Sequence, residues 1–142
     1  MSNSTCPFCD PPPERVFHRG ERVLGLWDGF PVAPGHALLV PVRHAPTWFD
    51  ATAEELREIA ASVEIARDAI LARIATPGAD WGPDPPPLRP PDGFNVGANV
   101  GLAGGQSVFH LHVHVIPRWE GDVANPRGGV RGVIPMRRDY RG

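Results

Sequence analysis

The sequence predicts an antiparallel sheet packed by a single long helix, and three stretches carry that expectation. His110-Leu111-His112-Val113-His114-Val115-Ile116 alternates polar and aliphatic residues, the period of a half-buried strand. Residues 15–42 hold three short apolar runs parted by Gly and Pro, the pattern of a meander. Residues 52–76 carry apolar side chains at helical spacing behind an N-terminal cap.

The 142 residues are enough for one domain with a real core. A net charge of −2 leaves no electrostatic footprint for a nucleic-acid backbone, so no such partner is expected. No run approaches the ~18 apolar residues of a membrane span, and Met1–Thr5 lacks a charged-then-apolar leader. A soluble, cytoplasmic protein with no membrane partner follows as the expectation. The 18 prolines cluster at 11–13 and 83–91, which marks loops between ordered elements.

Both cysteines stand in Cys6-Pro7-Phe8-Cys9. That spacing is half a zinc site or a redox pair. A redox pair opens a helix whose N-terminus lowers the thiol pKa. Asp10 and Pro11-Pro12-Pro13 oppose a continuing helix, which favours metal, with two ligands supplied from elsewhere.

Strands are expected at 15–19 and 22–28, joined at Gly20, and at 36–42, closed by Arg43-His44. Asp28, at a strand end before Gly29-Phe30-Pro31, reads locally as a turn-former. Thr52-Ala53-Glu54-Glu55 is a capping box, and Leu56, Ile59, Val63, Ala66, Ile70 and Ile74 form the stripe that packs on the sheet. Glu58, Arg67 and Asp68 are assigned to the solvated face, and Pro77-Gly78 ends the helix. Residues 77–92, with seven prolines, form a surface loop, either a lid or an insertion without a role. A strand resumes at Phe94–Asn99. Gly101–Ser107 then leads into the histidines, as a glycine turn or as a nest of amides holding an anion. The basic tail either wraps the domain or meets a polyanionic substrate.

On a strand the three imidazoles of His110, His112 and His114 share one face. At about 3.3 Å per residue, His110 and His114 stand roughly 13 Å apart at the backbone. One metal binding all three at about 2.1 Å would strain a straight strand. The row therefore divides between two jobs.

Gly105-Gln106-Ser107-Val108-Phe109-His110-Leu111-His112-Val113-His114-Val115-Ile116 resembles the histidine triad (HIT) family. So does Asp28–His36, followed by Val40-Pro41 and Arg43-His44. Residues 125–131 look like a tail found in some bacterial members. The match covers about residues 6–119, so residues 1–142 are taken as one HIT domain with core 6–119, Pro-rich loop 77–92 and basic tail 120–142.

The resemblance implies an α+β fold of five antiparallel strands, one long helix and a short N-terminal segment, paired in a homodimer with a ten-stranded sheet. It implies nucleotidyl chemistry at the α-phosphate of an AMP-like purine nucleotide. His112 matches the nucleophile and His114 the histidine that contacts the phosphate and serves as candidate proton donor. Gln106 and Ser107 match side chains at the bridging and α-phosphate oxygens, with Gly105 beside them. Asp28 matches the carboxylate that takes both ribose hydroxyls, which displaces its local reading as a turn-former. Asn99 matches a phosphate-side contact and His36 a supporting histidine. Phe8 and Leu26 fall where the base is sandwiched, and Gly29 departs from the aliphatic residue common there.

In zinc-bearing bacterial members, which are Hint-like or resemble diadenosine polyphosphate hydrolases, the ligand positions correspond to Cys6, Cys9, His44 and His110. Four N/S ligands leave no open position, so Zn2+ there would be structural. The activity implied is hydrolysis of AMP-linked compounds, adenosine phosphoramidates or dinucleoside polyphosphates such as Ap4A, through a nucleotidyl-histidine. Attack by a neutral His112 nitrogen requires its other nitrogen to carry the proton and meet an acceptor, a nearby backbone carbonyl. The alternatives are a nucleotidyl transferase or phosphorylase, which typically has Gln at the position of His114, a metal-dependent hydrolase using His112 and His114, or a nucleotide-binding regulatory protein with vestigial activity.

Overall fold

The computed structural model describes residues 5–139. Residues 1–4, read above for a leader, and 140–142, with Arg141 of the basic tail, lie outside the described residues. Five strands form one antiparallel sheet: β1 (Val16–Arg19), β2 (Val23–Trp27), β3 (Ala37–Pro41), β4 (Gly93–Gly97) and β5 (Val113–Arg118). Their order is β1-β2-β3-β5-β4, a meander joined through β3 to the β4–β5 pair. Helix α1 (Ala53–Ala75) covers one face.

Alternation sorts the side chains. Val23, Ala37, Leu39, Leu111, Val113 and Val115 pack beneath Ile59, Ala66 and Ile70 of the helix. Leu24, Leu26, Leu38 and Val40 point the other way and are covered by Cys6 and Phe8. Burying each such aliphatic side chain stabilises the fold by about 1.5–3 kcal/mol. Truncating a buried leucine such as Leu39 to Ala would cost about 2–5 kcal/mol.

The capping box is present as expected: Thr52 Oγ1 accepts from the Glu55 N–H at 3.1 Å, and Glu55 accepts from the Thr52 N–H at 2.8 Å. Burial opposes ionisation of Glu55, but the Arg43 guanidinium and the Thr52 amide outweigh it and hold the carboxyl below the usual range. Arg43 follows β3, so this pair ties the helix start to the sheet. Gly35 has φ +83°, and a Cβ there would lie 3.2 Å from Ile70, so the turn into β3 needs glycine.

Two local expectations change. The strand expected from His110 begins at Val113. Its partner β3 ends at Pro41, which has no N–H to donate, and Leu111 N–H goes instead to the Ala45 carbonyl at 2.8 Å. Glu58 is not simply solvated, since it accepts the Arg22 N–H at 2.8 Å and braces the β1–β2 turn.

Residues 77–92 contain no helix or strand. Trp81 is held against the Arg73 guanidinium, whose other neighbour is Trp27, each ring centroid 4.5 Å away. Part of the tail folds on itself, with Arg138 donating to the Asn125 and Arg127 carbonyls. Among the described residues no helix is long and apolar enough to cross a membrane.

Candidate active site and metal centre

The Cys6–Cys9 segment turns tightly, with the Cys9 N–H donating to Cys6 O, and it meets the chain on either side of the β3–β5 junction. Ligand atoms of Cys6, Cys9, His44 and His110 all lie within 4.8 Å of one another. Cys6 Sγ is 3.3 Å from His110 Nδ1, Cys9 Sγ 3.2 Å from His44 Nδ1 and 3.6 Å from His110 Nδ1. Bonds of about 2.0–2.3 Å in a tetrahedron place ligand atoms about 3.3–3.8 Å apart. The donor set and spacing therefore fit a closed four-coordinate metal.

The protonation of His110 agrees. Its Nε2 is 2.7 Å from the Pro41 carbonyl, which can only accept, so Nε2 carries the proton and the Nδ1 lone pair faces the sulfurs. Burial pushes the Cys6 thiol up, so metal binding must displace its proton.

His112 and His114 have opposite tautomers. His112 Nδ1 lies 2.9 Å from the His110 carbonyl and must donate to it, which leaves a lone pair on Nε2. The His36 Nδ1 accepts the Val32 N–H at 3.1 Å, so its proton sits on Nε2. That Nε2–H donates to His114 Nδ1 at 2.9 Å, with Asp28 Oδ2 3.3 Å away. His114 therefore carries its proton on Nε2. Burial, reinforced by His112 and His36, lowers the His114 pKa to about 4 against the opposing charge of Asp28. Burial also lowers that of His36. Both rings are neutral at pH 7.

Asp28, His36 and His114 also sit close enough to hold a cation, a carboxylate arrangement not apparent in the sequence. The hydrogen bonds argue against it. With Nδ1 accepting from Val32, a metal at His36 Nε2 would require an imidazolate.

Asp28 acts locally as a turn-former, its Oδ1 accepting the Phe30 N–H at 2.7 Å. A cavity of about 300 Å³ opens beside Asp28 and His36, bounded by Arg15, Trp27, Arg73 and Trp81. A larger one of about 570 Å³, between the Pro-rich loop and Trp119, touches neither His112 nor His114.

The glycine loop differs from expectation. Gln106 is 2% exposed, and its Oε1 accepts the Gly101 N–H at 2.9 Å. Its Nε2 donates to the Pro46 and Val108 carbonyls at 2.6 and 3.1 Å. The side chain is thus spent on holding the loop rather than offered to a phosphate. The amide nest is also spent, because the Gly104, Gly105 and Gln106 N–H groups donate to carbonyls at 101 and 102. Gly105, at φ +92°, closes this turn beside Asn99. Asn99 and Ser107 are exposed.

Phe8 and Leu26 do not form an open slot for a base. Leu26 is 0% and Phe8 7% exposed, because the Cys6–Cys9 turn folds Phe8 down onto the sheet. The sequence reading overlooked Arg15. Its Nε donates to the Trp27 carbonyl at 2.9 Å, and its guanidinium lies 3.1 Å from where a Cβ on residue 29 would be. The absence of a side chain at Gly29 was the available signal, since it opens the space that Arg15 fills.

The HIT domain model matches residues 11–121. An AP-4-A phosphorylase of Mycobacterium tuberculosis is 35% identical over 129 residues, 89% of this chain and 58% of that protein. A bis(5'-nucleosyl)-tetraphosphatase (asymmetrical) of Schizosaccharomyces pombe is 30% identical over 76% of this chain and 51% of its own. The chain thus spans little more than half the length of either. A Zn-bound histidine triad family protein of Mycobacterium smegmatis superposes with a TM-score of 0.63 at 32% identity, covering 86% of this chain and 81% of that one.

Proposed function

The chain belongs to the HIT domain family, and from that premise we propose that it hydrolyses AMP-linked compounds, dinucleoside polyphosphates foremost, through a nucleotidyl intermediate on His112. The observation that carries this reading is the pair of opposite tautomers. The His112 Nε2 lone pair serves as nucleophile, and the His114 Nε2–H serves as donor to a phosphoryl or bridging oxygen. A bond forms between His112 Nε2 and the α-phosphorus, and the bond to the bridging oxygen breaks with its electron pair leaving on the polyphosphate. Water then attacks the phosphorus, the phosphorus–nitrogen bond breaks with its electron pair returning to Nε2, the water's proton is lost to solvent and AMP departs. Asp28 would hold the ribose at the mouth of its cavity, and Ser107 and Asn99 would face the phosphates. Zinc bound at the four-residue centre would supply a structural cross-link, since no coordination position is left open.

The state of His114 bears on the choice of leaving group. A polyphosphate departs as an anion and needs only a hydrogen bond, whereas an amine needs a full proton. A ring whose pKa is about 4 meets the first requirement at pH 7 and not the second. A phosphoryl anion against Nε2 would raise that pKa, so turnover of a polyphosphate beside a phosphoramidate decides between the two.

The phosphorylase reading differs only in the second acceptor, and the Mycobacterium tuberculosis relative favours it. His114, where such enzymes typically carry Gln, supports water. Turnover of Ap4A with and without inorganic phosphate decides: AMP under both conditions supports hydrolysis, and ADP appearing only with phosphate supports phosphorolysis. His112→Ala should lose at least about 1,000-fold in turnover while still binding AMP. Quenched wild-type reactions should carry acid-labile AMP on His112. Undiminished turnover in His112→Ala would reject the mechanism.

A further inference from the structure

The cavity of about 570 Å³ beside the Pro-rich loop lies on the histidine face of the sheet. Along β5, His114, Ile116 and Arg118 alternate with Val113 and Val115, which pack under the helix. Ile116 and Arg118 line the cavity, as does Asn95, which stands opposite Ile116 in β4. Two residues of strand cover about 6.6 Å, so the cavity floor begins one side chain beyond His114. Val32, whose N–H donates to His36 Nδ1, belongs to its wall. The order along the face is therefore His112, His114, cavity. In phosphoryl displacement the attacking and leaving atoms lie roughly in line. With attack from His112 and a hydrogen bond from His114 to the bridging oxygen, the leaving half points along this row.

Charge decides which part of that half the cavity suits. Arg118 donates from Nε and Nη2 to Asp122 at 2.8 and 2.7 Å and from Nη1 to Asn95 at 2.7 Å. Arg89 Nη1 donates to both Asp92 oxygens at 2.6 Å. Among the described lining residues these two arginines face two carboxylates, Glu120 and Asp122, which leaves no surplus positive charge for a phosphate chain. The rest of the lining is largely apolar, with Pro85 and Pro87 from the loop, Ile116 from the floor, and Val32 and Val123 exposed at the rim. Prolines hold φ fixed, so this wall loses little freedom when a ligand binds. The volume falls within the range of small-molecule sites, about 300–1,000 Å³.

We propose that this cavity receives the distal nucleoside of a dinucleoside polyphosphate, the neutral end of the leaving half, with its base against Pro85, Pro87 and Ile116. The proposal rests on the reading of His112 as nucleophile, and it gives loop 77–92 a part in choosing the substrate.

Adenosine 5′-tetraphosphate carries the phosphates of Ap4A without the second nucleoside, so comparing the two isolates the contact. AMP release by wild type should favour Ap4A by about tenfold in kcat/KM after allowance for its two equivalent ends. Val123→Trp and Pro87→Trp, at exposed positions on opposite walls, fill the cavity and should bring the ratio to within about twofold of one. Calorimetric titration of His112→Ala protein with both compounds reads the same preference without turnover, and adding Val123→Trp should abolish it. Should one tryptophan variant fail to fold, the other decides. A wild-type ratio near one overturns the proposal, as does a ratio that survives in a folded tryptophan variant, which would place the distal nucleoside elsewhere. Undiminished turnover in His112→Ala beside an intact binding preference would instead sink the proposed reaction and leave the nucleoside site standing.

Discussion

Replacing Gln106 by Ala separates a residue that holds the loop from one that holds the substrate. The wild-type side chain makes three bonds, to the Gly101 N–H and to the Pro46 and Val108 carbonyls. Each is worth about 0.5–1.5 kcal/mol net, so together they contribute about 2–4 kcal/mol. Water can reach the neighbouring exposed loop and re-satisfy part of what is cut, which places the expected loss near 2–3 kcal/mol. For a domain of this size each kcal/mol moves Tm by about 3–4 °C, so Gln106→Ala should melt about 6–12 °C below wild type. Gln106→Glu keeps the acceptor for Gly101 but sets a carboxylate against two carbonyls, and should melt at least as early. Calorimetry on zinc-loaded protein measures both, beside turnover of Ap4A. A Gln106→Ala variant that melts within about 2 °C of wild type yet loses turnover would show the side chain acting on substrate. The loop-holding assignment would then be wrong.

Purified protein should hold about one zinc per chain by elemental analysis, and Cys9→Ser should lose it and melt earlier, because metal bound only by the folded state adds to folding free energy. Equal metal content in wild type and variant would refute that. Stability should fall as pH drops from about 6.5 toward 4, since His114 and His36 titrate near 6.5 when unfolded but lower when buried, so the unfolded chain binds more protons there. The contribution is complete above that window, and His114→Gln should flatten the slope in pH-dependent melts. An unaltered slope would count against burial as the cause. Light scattering should give a homodimer, with β4 (Gly93–Gly97) an edge strand that carries the exposed Val96. A monomer at micromolar concentration would contradict it.

The features legible in the sequence were those set by local period or spacing. The alternation through His110–Ile116 gave the correct side for Leu111, Val113 and Val115 even where regular pairing was lost. The capping box placed the helix start, and the C-x-x-C pair announced a cluster whose other members came from family resemblance. What stayed hidden depended on partners distant in the chain. Gln106 can donate and accept equally well toward a phosphate or a loop, and only the approach of Pro46, sixty residues earlier, decides between them. The glycines at 101–105 announced a turn, but not that the turn would consume its own amides. Phe8 reads as an exposed binding residue until Cys6 and Cys9 fold it against β2 and β3.

Pro41 explains why the histidine row divides as it does. The β3–β5 pairing runs from Ala37–Val115 to Leu39–Val113 and then stops before Pro41, which can accept from a neighbouring strand but cannot donate to one. Its carbonyl is taken by the His110 ring, a bond that fixes which nitrogen faces the cysteines. Residues 110–112 are thereby released from the ladder while remaining buried, and the His110 carbonyl meets the His112 ring instead of a strand partner. His114 stays inside the ladder opposite Leu38, where its ring reaches His36 at the start of β3. One residue without an N–H thus places the boundary between the proposed metal ligand His110, the proposed nucleophile His112 and the proposed hydrogen-bond donor His114.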